Sequence, residues 1–176
     1  MSRRPLLLAL ALLVGVAAIY FFLVRDTAVA PRVSAPRAVA TIGSGADAIA
    51  VTGAGEVVPW LPLPEEPGLP LLPLSEPPKS GRLAGPMLQQ AHVLGAAPVA
   101  LRPYLANSYY GESGVDVETT AGIELRFGDD SQAKKKWKAA AVVLVDPEIV
   151  ELDYVDLHSP SSPAYGGSGH TLPPSP

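Results

Sequence analysis

The residues able to do acid, base, nucleophilic or metal chemistry are few and dispersed. The three histidines, His92, His158 and His170, never stand at the i, i+4 spacing that brings two imidazoles to one metal ion. There are no cysteines, which excludes disulfides and thiolate metal sites. Asp129 and Asp130 are adjacent, but paired catalytic carboxylates need different surroundings to separate their pKa values. Neighbours at the start of a helix have the simpler task of capping it. Ser44 and Ser168 have glycine neighbours without the strand before and the helix after that a nucleophile elbow requires. Gly53-Ala54-Gly55 lacks the third glycine and the helix of a phosphate-binding turn. The lysines at 134, 135, 136 and 138 read as a solvated helix face, with attraction to anionic lipid or acidic peptide as the sharper alternative. These residues point to no enzyme, no metal and no cofactor.

The elements that would position such side chains are clearest from Gly122 to Leu157. In Ile123 to Phe127 apolar residues alternate with Glu124 and Arg126, the period of a strand with one buried face. Gly128 ends it, and Asp129, Asp130 and Ser131 offer oxygens to the free N–H groups of a helix start. Ala133, Trp137, Ala140, Ala141 and Leu144 recur at helical spacing, and Pro147 closes the helix. Val150, Leu152 and Tyr154, interleaved with Glu151, Asp153 and Asp156, predict a further strand. The helix must then cross over or pack on a sheet that contains both strands.

Upstream, Asp47 to Val58 predicts a hairpin turning on Thr52-Gly53-Ala54-Gly55. Trp60 to Pro78 alternates leucine and proline, as a surface loop whose leucines dock on the sheet, or as a polyproline-type ligand. A helix is predicted from Pro86 through Ala97, then a strand with Val115 and Val117 that turns at Thr120-Ala121-Gly122. With 20 prolines and 16 glycines in 176 residues, the chain has room for one modest domain. Its net charge of −4 leaves no nucleic-acid footprint.

At the N-terminus, residues 6–24 are apolar and uncharged, and nineteen residues of helix span roughly 28 Å, close to the thickness of a bilayer core. Ala28-Val29-Ala30 also fits a cleavage site, which would release a secreted binding protein beginning at Pro31. The longer apolar run favours the anchor. Residues 25–45 read as a Pro/Ala-rich linker, and residues 159–176 as a disordered Pro/Gly/Ser tail.

The run Phe127-Gly128-Asp129-Asp130, the pair Lys136-Trp137 and the closing Tyr154-Val155-Asp156-Leu157 resemble the end of the extracytoplasmic β domain of the bacterial cell-division family FtsQ/DivIB. The resemblance covers residues 46–166, and the linker is too short for the POTRA domain that such proteins carry between membrane and β domain. It implies an α+β fold: residues 1–5 in the cytoplasm, a single transmembrane helix, then at 46–158 a small, mainly antiparallel extracytoplasmic sheet with two packed helices. It further implies a non-catalytic scaffold of the divisome in the plasma membrane at the septum, recruiting FtsB-like and FtsL-like proteins by strand addition. Carried over by position, partner binding falls on Tyr154, Val155, Asp156 and Leu157, then on His158, Ser159, Ser161, Ala164 and Tyr165, with Lys136 and Trp137 as secondary contacts. An FtsQ-derived paralogue that binds no division partners is the alternative.

Overall fold

A computed structural model describes residues 36–64, 68–73, 78 and 81–172. The elements in chain order are β1 (Ala38–Ile42), β2 (Ile49–Thr52), β3 (Glu56–Val58), β4 (Leu71–Leu72), β5 (Gly81–Arg82), α1 (Gly85–Gly95), β6 (Leu105–Gly111), β7 (Gly114–Thr119), β8 (Glu124–Gly128), α2 (Ala133–Leu144), β9 (Tyr154–Asp156) and β10 (Ala164–Gly166). The strands form one 10-stranded sheet in the order β10-β9-β8-β7-β6-β4-β1-β2-β3-β5. Three neighbours are parallel, β1 with β4, β4 with β6 and β8 with β9; the rest are antiparallel. Among the described residues the fold is α+β with two short helices.

The expected transmembrane helix finds no support among the described residues. No helix among the described residues is long and apolar enough to cross a membrane, and the segment 6–24 lies outside those residues.

Both helices pack on one face of the sheet and touch each other. Val117, Leu125, Phe127 and Val155 point into that layer and are buried, as are Val93 and Leu94 of α1 and Trp137, Ala140 and Val143 of α2. Alternation along the strands sends the other set, Asn107, Tyr109, Asp116, Glu118, Glu124, Arg126, Tyr154 and Asp156, to the opposite face. The C-terminal end of α1 meets the β2–β3 hairpin backbone to backbone. A Cβ on Gly95 would lie 2.7 Å from the Gly53 Cα, so only hydrogen fits at that crossing.

The body starts earlier and ends later than the sequence predicts. β1 falls inside the expected linker 25–45: Ala38, Val39, Ala40 and Ile42 are buried, because β1 lies within the sheet between β2 and β4. In the leucine-proline loop, Leu71 and Leu72 form β4 between β1 and β6. Residues 159–172, expected in a disordered tail, turn back as β10 and continue to an isolated bridge between Glu151 and Thr171. Asp153 fixes that return: its carboxylate accepts N–H bonds from Ser168 and Gly169 at 3.2 and 2.7 Å.

Candidate functional site

The terminal ribbon is built by a crossover. β8 ends at Gly128, α2 covers the sheet, and the chain returns parallel to β8 as β9. Asp129 and Asp130 do not cap α2. The helix starts at Ala133 after Gln132 in a left-handed conformation (φ 53°), with no side-chain cap. Asp129 Oδ1 instead accepts from the Ser131 backbone N–H and hydroxyl and from Lys136 Nζ at 2.6 Å. The Lys136 ammonium also donates to the Phe127 and Asp129 carbonyls at 2.9 and 3.0 Å and is 2% exposed. Trp137 is 0% exposed, with Nε1–H donating to the Val93 carbonyl at 2.7 Å. Neither side chain reaches the surface, so Lys136 is not part of a solvated lysine face, and the two residues expected as secondary partner contacts lie in the interior.

The Tyr154-Val155-Asp156 strand is not an edge. It is paired with β8 on one side and β10 on the other, and Val155 and Leu157 are buried. The edge is β10. Strand geometry shows which of its groups are open: Glu124 N–H donates to the Asp153 carbonyl and Leu157 N–H to the Arg126 carbonyl, so the odd positions of β9 bond β8. Its even positions, Tyr154 and Asp156, therefore bond Gly166 and Ala164, and the Tyr165 N–H and C=O point away from the sheet. The Tyr165 side chain is 50% exposed.

Next to this edge, a cleft of about 570 Å³ opens between α2 and the β9–β10 turn, lined among others by Lys135, Lys138, Val142, His158, Ser161 and Pro163. His158, Ser159 and Ser161 are thus brought together in the turn. Tyr154 and Asp156 lie instead on the open sheet face. The Arg126 guanidinium stacks 4.4 Å above the Tyr154 ring and donates to Glu124 at 2.7 Å. Burial works against the Glu124 anion, yet bonds from Tyr109 and Arg126 outweigh it and hold its pKa below the ordinary value. The bond to Asp156 raises the His158 pKa, and its Nε2 also faces the Ser113 carbonyl at 3.3 Å.

Asp116, on β7 in the middle of this face, was not singled out by its sequence context. It is 6% exposed, no donor among the described residues meets its buried Oδ1, and burial followed by repulsion from Glu124 pushes its pKa up to about 6. The sign of the resulting pH dependence is definite. A carboxyl that holds its proton more tightly when folded loses stability as pH rises from its unfolded value near 4 through 6. Asp116→Asn is expected to raise stability by up to about 2 kcal/mol at pH 8 and by nothing at pH 4. Urea denaturation at the two pH values measures this, and an equal effect at both would contradict it.

The dispersed histidines each meet an aspartate: His92 with Asp130 at 2.6 Å, His158 with Asp156 at 2.8 Å and His170 with Asp153 at 3.2 Å. Among the described residues no serine or threonine hydroxyl bonds to any of these rings, and no cluster of His, Asp and Glu is arranged to hold a metal ion.

No family model matches the chain, and no curated protein matches it. The divisome-scaffold function, the FtsQ identity and the septal plasma-membrane location expected from the resemblance are corrected accordingly. No matched protein carries them, and no membrane-crossing helix occurs among the described residues.

Proposed function

We propose that this chain is a non-catalytic protein-binding module whose edge strand β10 takes up an extended segment of a partner. The observation that carries the reading is the outward Tyr165 N–H and C=O on a strand that, among the described residues, has a neighbour on one side only. Main-chain pairing supplies affinity there, and pockets beside the strand supply selectivity. The opposite edge, β5, is two residues long, and the Arg82 guanidinium donates across it to the Ala54 carbonyl, a short charged edge of the kind that discourages pairing. The cleft beside β10 has Lys135 and Lys138 at its rim and Val142 exposed, which favours a partner segment carrying acidic and apolar residues. Pro160 and Pro163 precede β10 and leave its donors intact. Two of the histidine-aspartate pairs, His92 with Asp130 and His170 with Asp153, link stretches distant in sequence, a structural task that supports a non-catalytic role.

The test separates backbone from side chain. A photo-crosslinking residue at Ser161 reports the partner in cells, in chains carrying Tyr165→Pro or Tyr165→Ala. Proline removes the outward N–H while the inward bonds of Ala164 and Gly166 stay. Crosslinking is expected to fall about tenfold with proline and less than about threefold with alanine. Equal losses would mean side-chain docking and would defeat strand addition.

A further inference from the structure

On the face of the sheet opposite the helices, the charged groups pair off with one exception. Arg126 and Tyr109 donate to Glu124. His158 donates to Asp156, and Asn107 donates to Glu118 at 3.0 Å. Asp116 lies among them by register, opposite Tyr109 on β6 and Arg126 on β8. Yet among the described residues no side chain donates to its carboxylate, and Oδ1 is buried without a partner. A carboxylate taken out of water without a donor is unfavourable, so such a group either holds a proton or awaits a cation. Its Oδ2 rests against Gly111, opposite Gly114 at the β6–β7 turn, where a Cβ would lie 2.8 Å from that oxygen.

We propose that this face is a second binding site, in which Asp116 receives the basic side chain of an arginine-bearing partner peptide at the Gly111 end of the β6–β7 hairpin. Charge complementarity selects the occupant. Asp116, Glu118, Glu124 and Asp156 face Arg126 and His158, and both of those side chains already bond to other carboxylates. An incoming guanidinium supplies the missing donor to Asp116. Its neighbours are Tyr109 from β6, Glu118 from its own strand, Glu124 and Arg126 from β8, and Asp156 and His158 from β9 and the residues after it. The site goes beyond the β10 reading and is separated from it along the sheet by β8 and β9, with His158 the one residue named in both.

Because burial and Glu124 raise the Asp116 pKa to about 6, cation binding must displace a proton below that pH. Titration calorimetry of the full chain would use a blocked hexapeptide alternating arginine and glycine, with the same peptide carrying neutral citrulline as control. At pH 7.5 the arginine peptide should bind at least about tenfold more tightly than the control. Asp116→Asn and Gly111→Ala should each remove about that factor. The alanine carries no charge change, and its Cβ meets only the movable end of a side chain. Wild-type affinity should fall between pH 7.5 and 5, and the asparagine variant should lose that dependence. Tyr165→Pro should leave all of this unchanged. Equal binding of the citrulline peptide, undiminished binding by Asp116→Asn, a pH dependence that survives in that variant, or no binding of the arginine peptide at millimolar concentration would each overturn the proposal.

Discussion

Replacing Trp137 with alanine is expected to destabilise the protein by about 5 kcal/mol, which leaves little or no folded chain at 37 °C. The indole is fully buried between sheet and helices, 4.8 Å from the Phe127 ring centroid at an interplanar angle of 51°. Removing a buried tryptophan side chain costs about 3–5 kcal/mol in lost burial and in the cavity left behind. The Val93 carbonyl, which accepts the Nε1–H bond, loses its partner at a further cost of about 1 kcal/mol or more. Domains of this size have about 5–15 kcal/mol in total. Trp137→Phe keeps the ring contact and loses the bond, so it should cost about 2 kcal/mol. Urea denaturation followed by far-ultraviolet circular dichroism would rank wild type, phenylalanine and alanine in that order. An alanine variant within about 1 kcal/mol of wild type would show that α1 and α2 are not held together through this residue.

Lys136→Met is the second large effect, with an expected loss of about 3 kcal/mol. All three ammonium protons are used, on the Phe127 carbonyl, the Asp129 carbonyl and Asp129 Oδ1. Methionine fills the volume of the stem and leaves those acceptors, two of them backbone, without a donor. Arginine does not repair this, because its planar fork cannot reproduce a three-way ammonium bond in the same space. The change has a pH signature. The bond from Lys136, followed by that from Ser131, lowers the Asp129 pKa to about 2. The folded form therefore binds that proton less tightly than the unfolded chain. The contribution is fully present above the ordinary carboxylate value near 4 and is lost as pH falls toward 2. In Lys136→Met the acid limb of the stability curve should be shallower. Trp137 fluorescence provides the readout, and a limb as steep as that of wild type would argue against the Lys136–Asp129 link.

Legibility in the sequence followed periodicity. β8 and α2 could be read because Leu125 and Phe127 alternate with charges and Ala133, Trp137 and Ala140 recur at helical spacing. β1 could not, because Ala38, Val39, Ala40 and Ile42 are all buried within the sheet, so no polar alternation marks the strand and its small residues look like linker. β10 is three residues of small and aromatic type between Pro163 and Gly167, and the return that follows it is held by Asp153, a residue distant in sequence, accepting the backbone N–H groups of Ser168 and Gly169. At the start of α2 the local rule for acidic caps lost to a longer-range bond. Lys136 drew Asp129 toward itself, and the helix began at Ala133. The candidate edge was misplaced by one strand for the same reason β10 was missed. Asp116 gave no signal at all: one aspartate among the alternating residues of a strand reads as solvent-facing, and its burial is set by neighbours on β6 and β8.

The order in which the sheet is completed bears on how the chain leaves the ribosome. β9 is translated before β10, so until the ribbon from Ala164 onward emerges, the growing protein presents Tyr154 to Asp156 as a bare strand beside the apolar Val155 and Leu157. Pairing with β10 closes that margin of β9. A product cut short in the β9–β10 turn would display a sticky margin to other nascent chains.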